Sequence, residues 1–452
     1  MAVETPDARL LIPGRRPLTI GLILVITAIA FEALAVSTAL PVVSRELNGV
    51  RLYGWAFSGF MLANLLGITL GGPLSDRIGP ARPMLVGLTL FGTGLIVSGL
   101  AHTMLLVVVG RVVSGAGAGA VISTAYVVIG LGYPEGARAR LFAVISSAWV
   151  LPSLIGPVVA GSVAQHLGWR WVFLALAPVM VLDAALVLPA VRGIKVSHGP
   201  DVEHLPLPVR DAFRLAVGTG LLISGFGSRR AGLGVALVLV GVVSAWGPFR
   251  RLVPEGTLRA RGALPAAVAL RGLLAFSFFT FDGFLPLTLT SLRGQSATRA
   301  GLSLTAGGVS WATGSWVAER RGRRWGRRRT VTSGATLILA GISTASLVLI
   351  PSVPVLIAPA GWLLAGLGMG LCYPTFGVIV LEEAPAGGVG RASSALQLAD
   401  VLGVALGTGL AGAAVAFSVA GGWGRRPGIE AADAMTVAVC LVAIAASRRL
   451  PR

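Results

Sequence analysis

Six ionisable side chains stand inside long apolar stretches of this 452-residue sequence: the acids Glu32, Asp183, Asp282 and Asp400 and the arginines Arg111 and Arg271. A charge in hydrocarbon is costly, so each such group is a candidate for moving a proton or holding a charged ligand. Glu32, in FEALAVSTALP, falls about 16 Å from the outer end of the first apolar helix at 1.5 Å per residue, and Arg111 about 12 Å from the same face in the fourth. The two can meet across a bundle. Asp282, in FDGFLP, occupies in the seventh helix the place that Glu32 occupies in the first. For Glu32, Asp282 and Asp400 the alternative role is structural, an acid that neutralises an arginine and ties two helices together. Asp183 is expected to face the cytoplasmic vestibule, with no part in coupling.

The energy source follows by elimination. A phosphate-binding G-x-x-x-x-G-K-[ST] loop needs a lysine, and the single lysine, Lys195, follows Ile194 with no such loop around it. An ion gradient felt by the buried acids is what remains. His102, His166, His198 and His204 have no metal-ligand spacing, and Cys372 and Cys440 fall in apolar spans, so no metal, cofactor or disulfide is expected.

These groups must be positioned by membrane helices. The chain is 55% hydrophobic and 12% charged, with a mean hydropathy of +0.84, whereas about a quarter of a soluble domain is charged. Runs long enough to cross about 30 Å of hydrocarbon occur near 18–43, 54–74, 83–101, 104–130, 138–164 and 169–190, then near 265–290, 297–318, 328–351, 353–380, 391–418 and 432–447. Two shorter apolar pieces, 213–227 and 231–247, lie between these two sets of six and flank Ser228, Arg229 and Arg230. They are expected to form an inserted hairpin, which makes twelve or fourteen spans; both pieces look short for a full crossing. The expected organisation is a cytoplasmic N-terminus (1–17), a six-helix bundle (18–190), a linker holding the hairpin (191–264), a second six-helix bundle (265–447) and a cytoplasmic tail (448–452).

The net charge of +19 does not point to nucleic acid once the arginines are located. With both termini cytoplasmic, 26 of the 37 basic residues fall on the cytoplasmic side, seven of them between Arg320 and Arg329, and nine on the other. This is the positive-inside pattern of a multi-pass plasma-membrane protein. Arg15 and Arg16 precede an apolar run too long for a cleavable signal, so the first helix is expected to stay.

A loop motif supports a duplication. GGPLSDRIGPAR (71–82) carries Gly72, Leu74, Asp76, Arg77, Gly79 and Arg82 in the spacing G-x-L-x-D-R-x-G, and 243 residues later GSWVAERRGRRW (314–325) keeps Val317, Glu319, Arg320 and Gly322 in register. At a helix end, Asp76 suits a conformational latch better than a proton carrier. In the fourth helix Arg111, Gly115, Gly117 and Gly119 form R-x-x-x-G-x-G-x-G, where small residues let backbones approach closely. In the fifth, Gly156-Pro157 followed by Gly161 favours a kink and a tight contact.

Together these pieces resemble the major facilitator superfamily, and within it the drug:proton antiporters, over essentially the whole chain. The loop from Gly72 to Arg82 matches the superfamily signature, Arg111 with Gly115 matches the fourth-helix motif whose arginine is implicated in proton transfer, and Gly156, Pro157 and Gly161 match the fifth-helix motif of exporters. TALP at 38–41 and the hairpin resemble the fourteen-span group. Three departures stand out: Pro152 and Ala160 replace glycines of the exporter motif, and Glu32 stands where that group has Asp. The resemblance implies an all-α fold of two six-helix bundles related by a pseudo-two-fold axis. It also implies alternating access, proton-coupled efflux of hydrophobic or cationic compounds, and a monomer in lipid whose only other partners are protons and the small-molecule substrate. Trp311, Trp362 and Tyr373 would suit such cargo if they line the cavity; lipid-facing or interfacial positions are the alternative. The competing functions are an importer or exporter of a sugar or organic acid on the same fold and, further off, a polytopic membrane enzyme. Deep in the spans, only Asn64 and Gln397 would offer an importer hydrogen bonds.

Overall fold

In a computed structural model the described residues are 16–133, 141, 148, 150–194, 209–384 and 389–451. They form helices throughout, as a chain must when lipid offers its backbone no hydrogen bonds. Eleven of the described helices are long and apolar enough to cross a membrane.

The N-terminal half holds α1 (Arg16–Glu46), α2 (Tyr53–Ile78), α3 (Ala81–Gly99), α4 (Met104–Gly132), α5 (Val150–Val163), the short α6 (Arg170–Leu174) and α7 (Ala177–Arg192). The C-terminal half holds α10 (Ala263–Ser291), α11 (Ala297–Trp325), α12 (Arg327–Ser346), α13 (Ile357–Glu383), α14 (Val389–Ala420) and α15 (Arg426–Ser447). In the first half α4 packs against α2 and α3 while α1 packs against α5 and α7; in the second α13 packs against α11 and α12 while α10 packs against α14 and α15. The same arrangement twice is the duplication that the loop motif announced. The run expected at 169–190 is interrupted at Ala175 and Leu176, between α6 and α7.

The inserted hairpin is longer than its apolar pieces. Helix α8 (Val209–Phe226) and helix α9 (Ala231–Leu252) extend over Arg210 and Arg214 at the start of the first and Arg250 and Arg251 at the end of the second, and the Arg251–Asp211 ion pair brings these to the same end of the hairpin. At 1.5 Å per residue they run about 27 and 33 Å; α9 is long and apolar enough to cross a membrane, whereas α8 falls short of about 30 Å of hydrocarbon. Helix α8 lies along α2 and α14, with Gly220 beside Trp55, Ile223 against Gly409 and Gly227 beside Ala413. The hairpin turn therefore reaches the end of the bundle opposite the one at which α1 starts and α15 ends. The Arg229 guanidinium there donates to the Ala420 carbonyl at 2.6 Å, one of the acceptors that the end of α14 leaves open. The expectation of a short segment therefore holds for α8 and fails for α9, whose helix runs on through Pro248, Arg250 and Arg251 to Leu252.

The halves meet through α2 with α14, α5 with α11 and α1 with α10. Their close approaches concentrate toward the end far from α1's start, hereafter the far face. Gly54 abuts the Thr408 carbonyl and Gly412, Gly161 abuts the Ala297 carbonyl, and Gly301 abuts the Pro157 carbonyl. The Tyr53 hydroxyl donates to the Gly283 carbonyl at 2.7 Å, and Thr298 donates to Gln165 at 3.0 Å. The far face is closed by backbone-to-backbone contact between the halves.

Candidate functional site

Glu32 on α1 and Arg111 on α4 form an ion pair with side chains 1% and 2% exposed. Helix α2 fixes the arginine: Arg111 Nε donates to the Ala56 carbonyl at 3.0 Å, and its guanidinium lies 4.0 Å from the centre of the Phe60 ring. Glu32 has no such second support, since both its oxygens are buried without a hydrogen-bond partner beyond the ion pair. The arginine is therefore the anchored member of the pair.

The R-x-x-x-G-x-G-x-G face explains how Arg111 comes so close to α2. Gly115 sits against the Phe60 backbone and Gly119 against the Asn64 carbonyl, both on α2, whereas Gly117 turns to Phe91 on α3. Side chains at these positions would push α2 away and withdraw Ala56 and Phe60 from the guanidinium. Asn64 is spent on this packing, donating to the Gly115 carbonyl at 3.4 Å.

A second cluster lies in the other half. Asp400 on α14 accepts from Arg271 Nε on α10 and from the Tyr373 hydroxyl on α13, each at 2.7 Å, and the Arg271 guanidinium stacks 3.4 Å from the Tyr373 ring centre. This pair is 18% and 24% exposed, far more open than Glu32–Arg111. Tyr373 continues into an aromatic group, with Trp311 at 5.0 Å and Phe279 at 6.5 Å between ring centres. Half-buried Asp282 belongs to the same half, beside the Trp362 indole. Trp362 itself is 1% exposed and stacked on Phe278 and Phe281, so it is packing rather than a free cavity wall.

Three of the four acids are thus grouped in two places. Glu32 meets Arg111, while Asp282 and Asp400 share the aromatic region of the second half. The sequence reading named Asp400 and noted Arg271 as a helix-borne charge without pairing them. Their signal was the presence of two isolated opposite charges in helices that both start at the face opposite the seal. Asp183 does not face a vestibule: it is fully buried against Gly21 of α1, with neither carboxylate oxygen hydrogen-bonded.

The exporter-like residues belong to the seam between halves. Pro157 and Gly161 meet α11 at Gly301 and Ala297, whereas Gly156 makes ordinary contact with Phe31 and Leu34 of α1. In the loop motif, Gly79 ends α2 at φ +81°, a conformation glycine adopts without strain. Gly72 lies against the Ser123 hydroxyl, Arg77 is half-buried and Arg82 is exposed on the first turn of α3. The Asp76 side chain lies outside what is described.

The second copy departs from the register read in sequence. Gly322 is inside α11, and the helix runs on to Trp325, where Gly326 at φ +77° makes the break. An added turn leaves Glu319 and Arg320 exposed, with the Arg320 guanidinium 3.9 Å from the Trp316 ring centre.

This architecture, two six-helix halves facing each other across a seam, is that of a membrane transporter. The family model of the major facilitator superfamily matches residues 20–408, and the chain belongs to that superfamily. The chain is 27% identical over 412 residues to the multidrug efflux pump SdrM of Staphylococcus aureus, covering 87% of this chain and 88% of the relative. It is 25% identical over 418 residues to the multidrug transporter MdtP of Bacillus subtilis, covering 88% and 75%, and 25% identical over 439 residues to the probable multidrug-efflux transporter Rv1634 of Mycobacterium tuberculosis, covering 91% of each. Among solved structures, a POT family transporter in complex with 5-aminolevulinic acid superposes at a TM-score of 0.66 with 14% identity over 96% of both chains. The xylose transporter XylE from E. coli, in a partially occluded inward-open conformation, superposes at 0.61 with 14% identity over 95% and 96%.

Proposed function

We propose that this protein extrudes hydrophobic or cationic compounds across the plasma membrane in exchange for protons, with both termini cytoplasmic. The observation that carries the reading is the Glu32–Arg111 pair, sealed from water and anchored on one side only. Breaking a buried pair by altering one partner is costly because the other charge is left stranded. A proton arriving on Glu32 releases Arg111 and so favours a different packing of α1 against α4. Relatives named as multidrug efflux pumps support the class of cargo.

The seal at the far face corresponds to a state open toward the cytoplasm. Cargo enters there and meets Asp282, whose carboxylate and aromatic neighbours attract cations, and Asp400, which a cation engages by displacing Arg271. Rocking of the halves then breaks the contacts at Gly54, Gly161 and Gly301 and opens the far side. In that state the loop around Gly72, Asp76, Arg77, Gly79 and Arg82 latches the cytoplasmic ends of neighbouring helices. Glu319 and Arg320 are weaker partners in such a latch, because the extra turn of α11 carries them away from the helix end.

One observation favours a second reading, transport of an organic acid. Arg271 is partly exposed and held by a single carboxylate, so a substrate carboxylate can compete with Asp400 for it. Proteoliposomes under an imposed pH gradient separate the two. Export of cationic dyes that collapses the gradient, lost in Glu32→Gln, supports the antiporter. Gradient-driven movement of small carboxylates, lost in Arg271→Gln with dyes left untouched, replaces it.

A further inference from the structure

A groove of about 410 Å³ opens on the C-terminal half between α11, α12 and α13. Its inner part is Val317, Leu337, Leu367 and Leu371, and its mouth is Trp325 and Arg329. Arg329 lies on the first turn of α12, at the end of the arginine run, and Leu337 is eight residues further, about 12 Å into the membrane at 1.5 Å per residue. The groove is thus apolar where hydrocarbon lies and cationic where headgroups lie. Helix α12 packs on α13 and α15, which puts this opening on the flank of its own half.

The charges at the mouth are not equivalent. Arg327 is neutralised by Glu382 and Glu383 of α13, whereas Arg329 is exposed and has no ion pair among the described residues. Ser333, one turn along α12 and also exposed, adds a hydroxyl beside it. Trp325, 37% exposed, has the amphipathic ring favoured at the membrane boundary. A free cation above an aliphatic groove repels the cationic cargo proposed for the central chamber and complements a phosphate with an acyl chain.

We infer that this groove is a binding site for one anionic phospholipid of the leaflet on the side of the chain termini, its acyl chain along Leu337, Leu367 and Leu371 and its phosphate on Arg329. The site arises where the second copy of the loop motif has gained a helical turn, so the duplicated segment serves the bilayer.

Delipidated full-length protein in detergent, titrated with phosphatidylglycerol brominated on the acyl carbons next to the headgroup, tests this. The Trp325 contribution, taken as the difference from Trp325→Phe, should be quenched at a concentration at least tenfold lower than with brominated phosphatidylcholine. Arg329→Gln should erase that difference. Native mass spectrometry gives a second readout independent of Trp325: the wild-type protein should retain one more phosphatidylglycerol than Arg329→Gln. Equal response to the two lipids, an unquenched Trp325, or retention unchanged in Arg329→Gln would overturn the proposal.

Discussion

The two halves carry acid–arginine pairs built to different ends. Glu32–Arg111 is closed to water and its arginine is clamped by a carbonyl and a phenyl ring, whereas Arg271–Asp400 is open by about a fifth and its acid is clamped by a tyrosine. In the first the carboxylate is the unsupported member; in the second it is the arginine, held by one carboxylate and the face of one ring. Duplication supplied two six-helix scaffolds, and divergence left one pair dry and the other partly open to water.

The sharpest way to break this contrast is to remove one partner of each pair. Arg111→Ala strands Glu32 in a dry site and should destabilise the protein by about 3–5 kcal/mol, read as a fall in thermal midpoint of the purified protein. Glu32→Gln with Arg111→Gln should recover most of that loss while transport stays absent. Asp400→Asn, in the pair that is about a fifth exposed, should cost less, about 1–2 kcal/mol, because some water reaches Arg271 and the amide oxygen can still accept its bond, and should change which substrates are carried. Equal stability losses for Arg111→Ala and Asp400→Asn would erase the distinction.

Packing changes follow with smaller effects. Gly115→Ala drives a methyl into the Phe60 backbone and should cost about 1–3 kcal/mol by overpacking. Gly412→Ala, at the seam against Gly54, should act on the conformational equilibrium: the far side should open, raising the labelling of a cysteine placed at Thr408 by a membrane-impermeant reagent. Least of all, Arg229→Ala removes one exposed bond to Ala420, worth about 1 kcal/mol or less, and should leave transport unchanged.

Much of this was legible in the residues. Apolar runs of membrane length gave the helices, the repeated loop motif gave the two halves, and rare charges in lipid gave Glu32, Arg111, Asp282 and Asp400. Gly322 matches Gly79 in sequence, yet α11 continues through it to Trp325, because a glycine in sequence does not reveal whether the backbone turns there, and Arg323-Arg324 continues a helix as readily as it ends one. For Trp362 the sequence leaves cavity and lipid-facing positions both open, yet stacking on Phe278 and Phe281 buries it away from both, and no pattern in sequence distinguishes those outcomes.

Composition and periodicity by themselves determined that the chain lies in a membrane, how its helices are spaced and which charges are anomalous, since these depend on solvation of each segment alone. Tertiary structure decided which charge met which, which face was sealed and how the hairpin lay against α2 and α14. Those outcomes depend on close approaches such as Gly54 to Gly412 and Gly161 to Ala297, contacts between residues remote in the chain whose geometry exists only after the halves have packed.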